Sequence, residues 1–450
     1  MLFLGNIYFR VDVKISVPRF ADLLVEEVRK KREELARVIG GEGDLRNYYG
    51  ELLRRVWMSD LSQDKVDGRV YGVDSSCDDI DVVGGGSILI SRAIAVSVGG
   101  DEVRKLRLDA FFPRDIRDQE ELKRLMREHL EHLAGLEAVE RGAETVLIDG
   151  SLYARMTHVL REINIDGYED FMFEYIETYA GFLREALKRN VAVVGVSKDS
   201  RSTVLKEELL MLKLRELVAS LEPSVRETVL GLFGEIKRRP REALEGLRHL
   251  LKSGVSMEVY ELFRNATSGA PDSKIIFSVG LGRGLSLPLQ LSIEKVSARV
   301  FELVLSDSHE KLLGLLERVF PASRDKLGDS FQEKASRMIE ALKSYPPIAV
   351  TYVVLEQGDD PIRVDVALKG KYPTRGESHF LEAIPEEMLK GLKSIAGLYA
   401  GPRSYNVLLL EADKRVRTTH DTMEMYHRLI MQELKTLVMH SRSDRRFFYP

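Results

Sequence analysis

The apolar and polar positions of this chain follow two different periods. Residues 18–60 have apolar side chains three and four positions apart, which predicts helices. Beyond them, β-branched runs predict three strands, at 67–76, 84–100 and 105–112. The pattern then predicts a helix, a strand, a helix and a strand, at 117–140, 144–152, 173–190 and 191–202. This order predicts a mixed α/β sheet whose first strands are antiparallel and whose later strands follow helical crossovers.

The second half of the chain repeats this change of period. A nearly continuous helical pattern covers 204–264, with breaks at Pro223 and Pro240. Apolar runs then predict strands, at 275–280, 288–293, 298–305, 348–357 and 362–368. Helical patterns occupy 309–343 and one long stretch that begins near 404.

These patterns predict four segments. They are an N-terminal segment with helices (1–65), a first part of the core (66–203), a helical insertion (204–270) and a second part of the core that ends in a helix (271–450).

Composition narrows the class of protein. At 450 residues and 44% hydrophobic content, the chain is long enough to bury a large core. The formal net charge is only −4, so a nucleic-acid surface would have to be a local groove lined by some of the 67 Lys and Arg residues. The 31% charged residues are typical of a thermophile.

Several features of the sequence predict a cytoplasmic location. Cys77 is the single cysteine, which excludes internal disulfides and cysteine zinc clusters and fits a reducing compartment. The first residues have no basic segment followed by an apolar one, so we predict no signal peptide. No apolar run approaches the length that crosses a bilayer.

Two aspartates follow apolar runs and precede small residues. Asp74 follows YGV and precedes Ser75 and Ser76, while Asp149 follows TVLI and precedes Gly-Ser. Either one alone is compatible with an ordinary turn, since Asp and Ser are common turn residues. Two of them together predict carboxylates that converge at one sheet edge, and such oxygen ligands suit Mg²⁺ or Mn²⁺. Metal ions held in this way can activate water for phosphodiester cleavage.

Other charged residues are weaker candidates. Lys198 and Arg201 follow a buried strand and are placed to bind phosphate, although a solvated basic loop would have the same sequence. Asp413 is predicted near the start of the C-terminal helix, where the helix dipole favours a carboxylate. Glu128 and Glu131 lie on the helix before the second Asp strand, and because most glutamates on helices are solvated, their position alone favours a solvated residue over a ligand.

Motifs of other enzyme classes are absent from the sequence. It contains no GxxxxGK[ST], HExxH or GxSxG. An actin-like ATPase shares the sheet type but would need a second Gly-rich phosphate loop, and LIDGSL has one glycine. A non-catalytic scaffold that loads DNA onto a translocase is a further alternative, against which the two aspartates argue.

The motifs in this order resemble those of the NurA family of archaeal and bacterial nucleases. The resemblance lies in five stretches, GVDSS (72–76), LIDGSL (147–152), GVSKDSRS (195–202), IRVDV (362–366) and SYNVLLLEADKRV (404–416). It implies a ribonuclease-H-like sheet flanked by helices and an Mn²⁺-dependent nuclease, with Mg²⁺ as the alternative ion. It also implies 5′-to-3′ exonuclease activity, single-strand endonuclease activity and a role in DNA end resection for recombinational repair.

The same resemblance implies a set of site residues and partners. Asp74, Asp149, Glu131 and Asp413 match its metal-binding and catalytic positions, with Glu131 preferred over Glu128. Ser75, Lys198 and Arg201 are the candidates for substrate contact. A homodimer docked on a hexameric translocase of the HerA type is expected, and the apolar start (2–9) and the aromatic-basic tail (445–450) would suit such contacts.

Overall fold

The computed structural model describes residues 20–40, 45–59, 61, 66, 68–82, 85–158, 160–252, 254–293, 299–306 and 308–434. Both segments that we expected to contact a partner, 2–9 and 445–450, lie outside the described residues. In this part of the chain no helix is long and apolar enough to cross a membrane.

One mixed sheet runs through the described residues. Its ten strands are β1 (Trp57–Met58), β2 (Val70–Asp81), β3 (Ser87–Ser97), β4 (Glu102–Phe111), β5 (Thr145–Asp149), β6 (Ala192–Ser197), β7 (Gly284–Ser286), β8 (Leu289–Leu291), β9 (Ile348–Val354) and β10 (Ile362–Ala367). The neighbour order is β1-β7-β9-β10-β6-β5-β2-β3-β4, and β8 pairs with β9.

The direction of the strands agrees with the expected fold class. Strands β2, β3 and β4 are antiparallel, whereas β5 is parallel to β2 and β6 is parallel to β5. The two parallel strands are reached through helical crossovers, as the order of elements predicted. The ribonuclease-H-like α/β sheet is therefore confirmed.

Helices surround this sheet. The first eleven are α1 (Ala21–Lys30), α2 (Arg32–Gly40), α3 (Leu45–Arg55), α4 (Ile116–Glu140), α5 (Leu152–Met156), α6 (Phe171–Lys188), α7 (Val204–Val218), α8 (Pro223–Glu235), α9 (Pro240–Leu251), α10 (Met257–Thr267) and α11 (Asp272–Val279). Seven more follow, α12 (Arg299–Leu305), α13 (His309–Val319), α14 (Pro321–Leu327), α15 (Ser330–Lys343), α16 (Glu386–Gly397), α17 (Val407–Val416) and α18 (His420–Leu434).

Each face of the sheet has its own apolar core. On one face, α4 packs on β2 and β3 while α6 packs on α4 and β6, in a cluster that includes Val73, Leu125 and Phe182. On the other face, α16 and α17 pack on β2, β5 and β6, with Leu147 and Leu408 in the shared cluster. Because both faces are covered, β5 and β6 are apolar along nearly their whole length.

Helices α7 to α11 form a further cluster with α3. Their buried residues pack against Tyr352 of β9, so this helical part is joined to the sheet. Pro223 and Pro240, predicted as breaks, each begin a new helix, which suits a residue without a backbone N–H. The division into four segments stays a prediction.

Five expectations about secondary structure were wrong. Residues 57–58, within the segment predicted to be helical, form strand β1. The run at 275–280 lies in helix α11 up to Val279, and the described residues of the run at 298–305 lie in helix α12, because short apolar runs do not distinguish a buried strand from a buried helix. The C-terminal helical stretch is two helices, α17 and α18. Strand β2 does not stop at its acidic residues but continues to Asp81, since β3 pairs with it over that length.

Candidate metal centre

Asp74 and Asp149 are adjacent on neighbouring parallel strands. The last residues of β2 and β5 that pair are Val73 and Ile148, and the two aspartates come next in each strand. Side chains at matching positions of parallel strands point to the same face. Asp74 was expected at the end of a strand, but β2 continues beyond it. It still lies level with the end of the neighbouring parallel strand β5, at Asp149. The register therefore brings the two carboxylates together.

Helix α17 lies close to these aspartates. A Cβ atom at Gly72 would be 2.8 Å from the backbone carbonyl carbon of Leu408, so glycine permits the approach of the helix to β2. Asp413 lies in the last turn of α17, and its charge contributes to a raised pKa at Asp149. The expected position near the helix start was wrong, so the dipole argument does not apply. Asp413 is held by Arg417, whose Nη2 is 2.7 Å from its Oδ2.

Glu131 reaches the same place from α4. It is buried and accepts hydrogen bonds from the Ser75 hydroxyl and from the guanidinium of Arg155. Arg155 also donates to the backbone oxygen of Asp149 at 3.0 Å. The Ser75 hydroxyl is therefore engaged with Glu131, and its contact with substrate stays a prediction.

Glu128 lies one turn earlier on α4 and is engaged elsewhere. Its Oε2 is 2.7 Å from Nε2 of His158, and it also accepts a hydrogen bond from Tyr175. Burial would raise the pKa of Glu128, but the hydrogen bond from His158 and the charge of Arg155 lower it to about 2. Of the two glutamates, Glu131 is the one whose charge acts on Asp74.

Burial raises the pKa of the candidate carboxylates, and neighbouring negative charges add to this at Asp74 and Asp149. Burial raises the pKa of Asp74 to about 7, and the charges of Glu131 and Asp149 add to this effect. Burial also raises the pKa of Asp149 and of Glu131, although Lys198 and Arg155 respectively oppose it. Such a set of buried oxygen ligands fits a divalent cation, which would offset the repulsion between them.

Three of the four candidate carboxylates form ion pairs with cationic side chains of the chain itself. Within the described ranges, no group of three acidic, His or Cys side chains already forms a metal site. Glu131 pairs with Arg155, Asp149 with Lys198, and Asp413 with Arg417. Because Lys198 and Arg417 are 42% and 69% exposed, these two side chains can move away when a metal binds.

A cavity of about 660 Å³ opens beside Asp149. Lys198 and Arg201 both line it, together with the Gly-Ser turn after β5. The Nζ atom of Lys198 is 3.6 Å from Oδ2 of Asp149 and 4.1 Å from the ring centre of Tyr405. The two predicted phosphate contacts therefore lie next to the carboxylate cluster.

The match to a known family covers this whole region. A family model of the NurA domain matches residues 68–418, which include all seven predicted site residues. This chain belongs to the NurA family. The resemblance drawn from its motifs is thereby confirmed.

One solved NurA structure shares the fold of this chain at low sequence identity, and two others match it with lower TM-scores. The NurA nuclease from Sulfolobus solfataricus has a TM-score of 0.51 and 14% identity, and the match covers 93% of this chain and 98% of that one. A NurA structure with manganese has a TM-score of 0.37 and 15% identity, covering 91% and 97%. NurA bound to dAMP and manganese has a TM-score of 0.34 and 17% identity, covering 92% and 98%. No curated protein matches the sequence.

Two residues of this NurA chain escaped sequence reasoning. Arg155 lies six residues after Asp149 in LIDGSLYAR, and nothing in that stretch indicates that it turns back to Glu131. Tyr405 precedes α17, and its pKa is raised by burial and, to a smaller extent, by the negative charges of the nearby aspartates Asp149, Asp74 and Asp413. Tyr405 belongs to the stretch SYNVLLLEADKRV, whose resemblance to the family could have indicated that it lies near the site.

Proposed function

We propose that this chain is a metal-dependent deoxyribonuclease that hydrolyses phosphodiester bonds with Mn²⁺, or with Mg²⁺ in its place. The observation that carries the proposal is the register of β2 and β5, which sets Asp74 beside Asp149 with Glu131 against them. Membership of the NurA family supports it. The cation-lined cavity beside Asp149 offers a place for the phosphate backbone.

Each site residue has a role in this proposal. Asp74, Glu131, Asp149 and Asp413 would hold the metal, which supplies an activated water and stabilises the charge of the leaving oxygen. Arg155 and Ser75 orient the Glu131 carboxylate from two sides. Lys198 and Arg201 bind phosphate, and the ring of Tyr405 supports the Lys198 ammonium.

We extend the proposal to the biology that the family resemblance implies. The activities would be 5′-to-3′ exonuclease and single-strand endonuclease, acting in DNA end resection for recombinational repair. The protein would work in the cytoplasm as a homodimer docked on a hexameric translocase of the HerA type. These finer statements rest on the resemblance and on the family match.

End-labelled DNA tests the nuclease proposal directly. Single-stranded and duplex DNA, labelled at either end, is incubated with the purified chain and Mn²⁺, Mg²⁺ or EDTA. We expect cleavage with Mn²⁺ and none with EDTA, and the two labels give the polarity. Absence of metal-dependent cleavage would refute the proposal and favour a scaffold, while metal-dependent ATP hydrolysis without DNA cleavage would favour the ATPase.

A further inference from the structure

Arg363 is a buried arginine in the wall of the cavity beside Asp149. It lies on β10 opposite Ser197 of β6, the residue before Lys198. The side chain is only 6% exposed, yet it lines the same cavity as Asp149 and Lys198. The nuclease mechanism above gives this arginine no role.

The guanidinium of Arg363 is fixed by Asp365. Its Nε donates to Oδ1 at 2.7 Å, and its Nη2 donates to Oδ2 at 3.2 Å. Asp365 is itself held by the Ser151 hydroxyl at 2.5 Å and by the backbone N–H of Tyr153 at 3.1 Å. Within the described residues, Nη1 of Arg363 makes no hydrogen bond, and it is not among the fully buried atoms that lack a partner. Because Arg363 lines the cavity, this N–H group is open to it and can donate to an anion there.

The cavity is predominantly basic. Besides Arg363, its cations are Lys198, Arg201 and Lys237, and its acidic residues are Asp149 and Asp199. The helix that begins at its edge does not supply this character, because the N–H groups of Leu205 and Lys206 already donate to Asp272. Side chains therefore make the cavity attractive to an anion. A planar guanidinium held at one side is suited to a phosphate oxygen.

We propose that Arg363 anchors a phosphate group of bound DNA adjacent to the phosphate that is cleaved, and that Asp365 positions it. This subsite rests on the proposed nuclease function, because it assumes that the substrate is DNA. The ligand is either an internal phosphodiester or a terminal phosphate, which share the same chemistry. Because Arg363 lines the same cavity as Asp149, a phosphate bound by Arg363 would determine where the DNA strand lies relative to the carboxylate cluster.

Neutral phosphate analogues test the proposal without any cleavage. Oligonucleotides that carry one methylphosphonate at successive positions are titrated with the chain in EDTA, and binding is followed by fluorescence anisotropy. At one position we expect the analogue to weaken binding by the wild-type chain about tenfold, as for loss of one charge-assisted hydrogen bond. The same analogue should weaken binding by the Arg363→Gln variant almost no further, because this variant already lacks the side chain that contacts the phosphate.

The exposed Arg241 provides a matched control outside the cavity. Arg241→Gln should retain the full tenfold sensitivity. An analogue effect of equal size in wild-type and Arg363→Gln chains, or no sensitive position at all, would overturn the assignment. Should Arg363→Gln fail to fold, Arg363→Lys takes its place, because it keeps a positive charge beside Asp365. We then expect the analogue to weaken binding only about threefold, since an ammonium lacks the planar fork that holds Asp365 and phosphate together. A sensitivity that stays at about tenfold overturns the proposal.

Two further arms separate the sources of the phosphate. Oligonucleotides with a 5′-phosphate, a 5′-hydroxyl or a 3′-phosphate are compared in the same titration. A loss of about tenfold on removing one terminal phosphate identifies a terminal ligand, whereas sensitivity at internal positions identifies the strand backbone. A chain that cleaves DNA but shows no coupling refutes only the subsite. A chain that shows coupling but never cleaves refutes only the nuclease.

Discussion

Arg155 and Glu131 form an ion pair whose side chains are only 6% and 4% exposed. The same guanidinium donates to the backbone oxygen of Asp149, so it links helix α4 to the end of strand β5. A buried charge is costly unless it is paired and hydrogen-bonded. This pair therefore fixes two candidate metal ligands relative to each other.

Loss of Arg155 should destabilise the fold. We expect Arg155→Met to lower the free energy of unfolding by about 3–5 kcal/mol, because Glu131 is left buried without its partner. Arg141→Met is a matched control, since Arg141 pairs with Glu137 at 40% and 30% exposure and should cost at most about 1 kcal/mol. Chemical denaturation measures both. Equal losses in the two variants would contradict the assigned role.

Asp74 and Asp149 should both be required for cleavage. Asp74→Asn and Asp149→Asn each remove a charged oxygen ligand while keeping the shape of the side chain. Mutation of a residue that only hydrogen-bonds to a metal ligand lowers metal affinity or activity by about 10–100-fold. Loss of the ligand's own charge should have a larger effect, so we expect the cleavage rate to fall by more than about 100-fold. The exposed Asp325 provides the control variant Asp325→Asn, which should cleave normally. Wild-type rates in a folded Asp74→Asn chain would refute the site.

The sequence predicted the parts of the site that depend on chain order. Strand β5 is short and apolar, so an aspartate at its end had to lie at the sheet edge, and parallel pairing with β2 then brought Asp74 beside it. Arg155 and Arg363 could not be predicted in this way. Arg155 pairs with Glu131, which is distant in the chain, and Arg363 is notable only because its side chain is buried. The sequence alone does not distinguish a buried arginine from an exposed one.

Helix α11 shows the same limit for secondary structure. Its run IIFSV is as apolar as a buried strand, but Ile275, Ile276 and Val279 pack at helical spacing into the helical cluster. Asp272 at its start is fixed by three hydrogen bonds from other elements. Tertiary contacts, which the local pattern does not contain, decide the conformation here.

The oligomeric state is a separate prediction. We expect light scattering to give twice the mass of the 51.1 kDa chain, which distinguishes a dimer from a monomer. Deletion of residues 1–9 should abolish binding to a ring-shaped translocase, as their apolar side chains would suit an interface. A monodisperse monomer at micromolar concentration, or full binding by the truncated chain, would contradict this expectation and leave the nuclease proposal intact.

Asp272 should make stability depend on pH. It is buried and accepts hydrogen bonds from Tyr352 at 2.6 Å and from the N–H of Lys206 at 2.8 Å. Burial raises its pKa from 3.8 to about 6, despite those hydrogen bonds. The folded chain holds the Asp272 proton more tightly than the unfolded chain does. Protonation of Asp272 therefore stabilises the folded state below pH 4, and this stabilisation is lost as the pH rises to about 6.

The difference between the two pKa values corresponds to about 3 kcal/mol. Relative to wild type, Asp272→Asn should therefore gain about that amount of unfolding free energy between pH 4 and pH 7, measured by denaturation at each pH. Asp325→Asn, at an exposed aspartate, should track the wild type throughout. A constant difference between wild type and Asp272→Asn across this range would show that Asp272 is ionised with an ordinary pKa.

Lys198 and Arg201 should determine how DNA binding depends on salt. Both line the cavity beside Asp149, and Lys198 is 42% exposed, so neutralising either should leave the fold unchanged. Each lysine or arginine that binds a phosphate releases about one counterion, which sets the slope of log affinity against log salt. We expect Lys198→Gln and Arg201→Gln each to reduce that slope by about one and to weaken binding at low salt, when titrated in EDTA over a range of KCl. Arg241→Gln, outside the cavity, should keep the wild-type slope. If both cavity variants also keep it, the loop after β6 is a solvated surface and the phosphate contacts lie elsewhere.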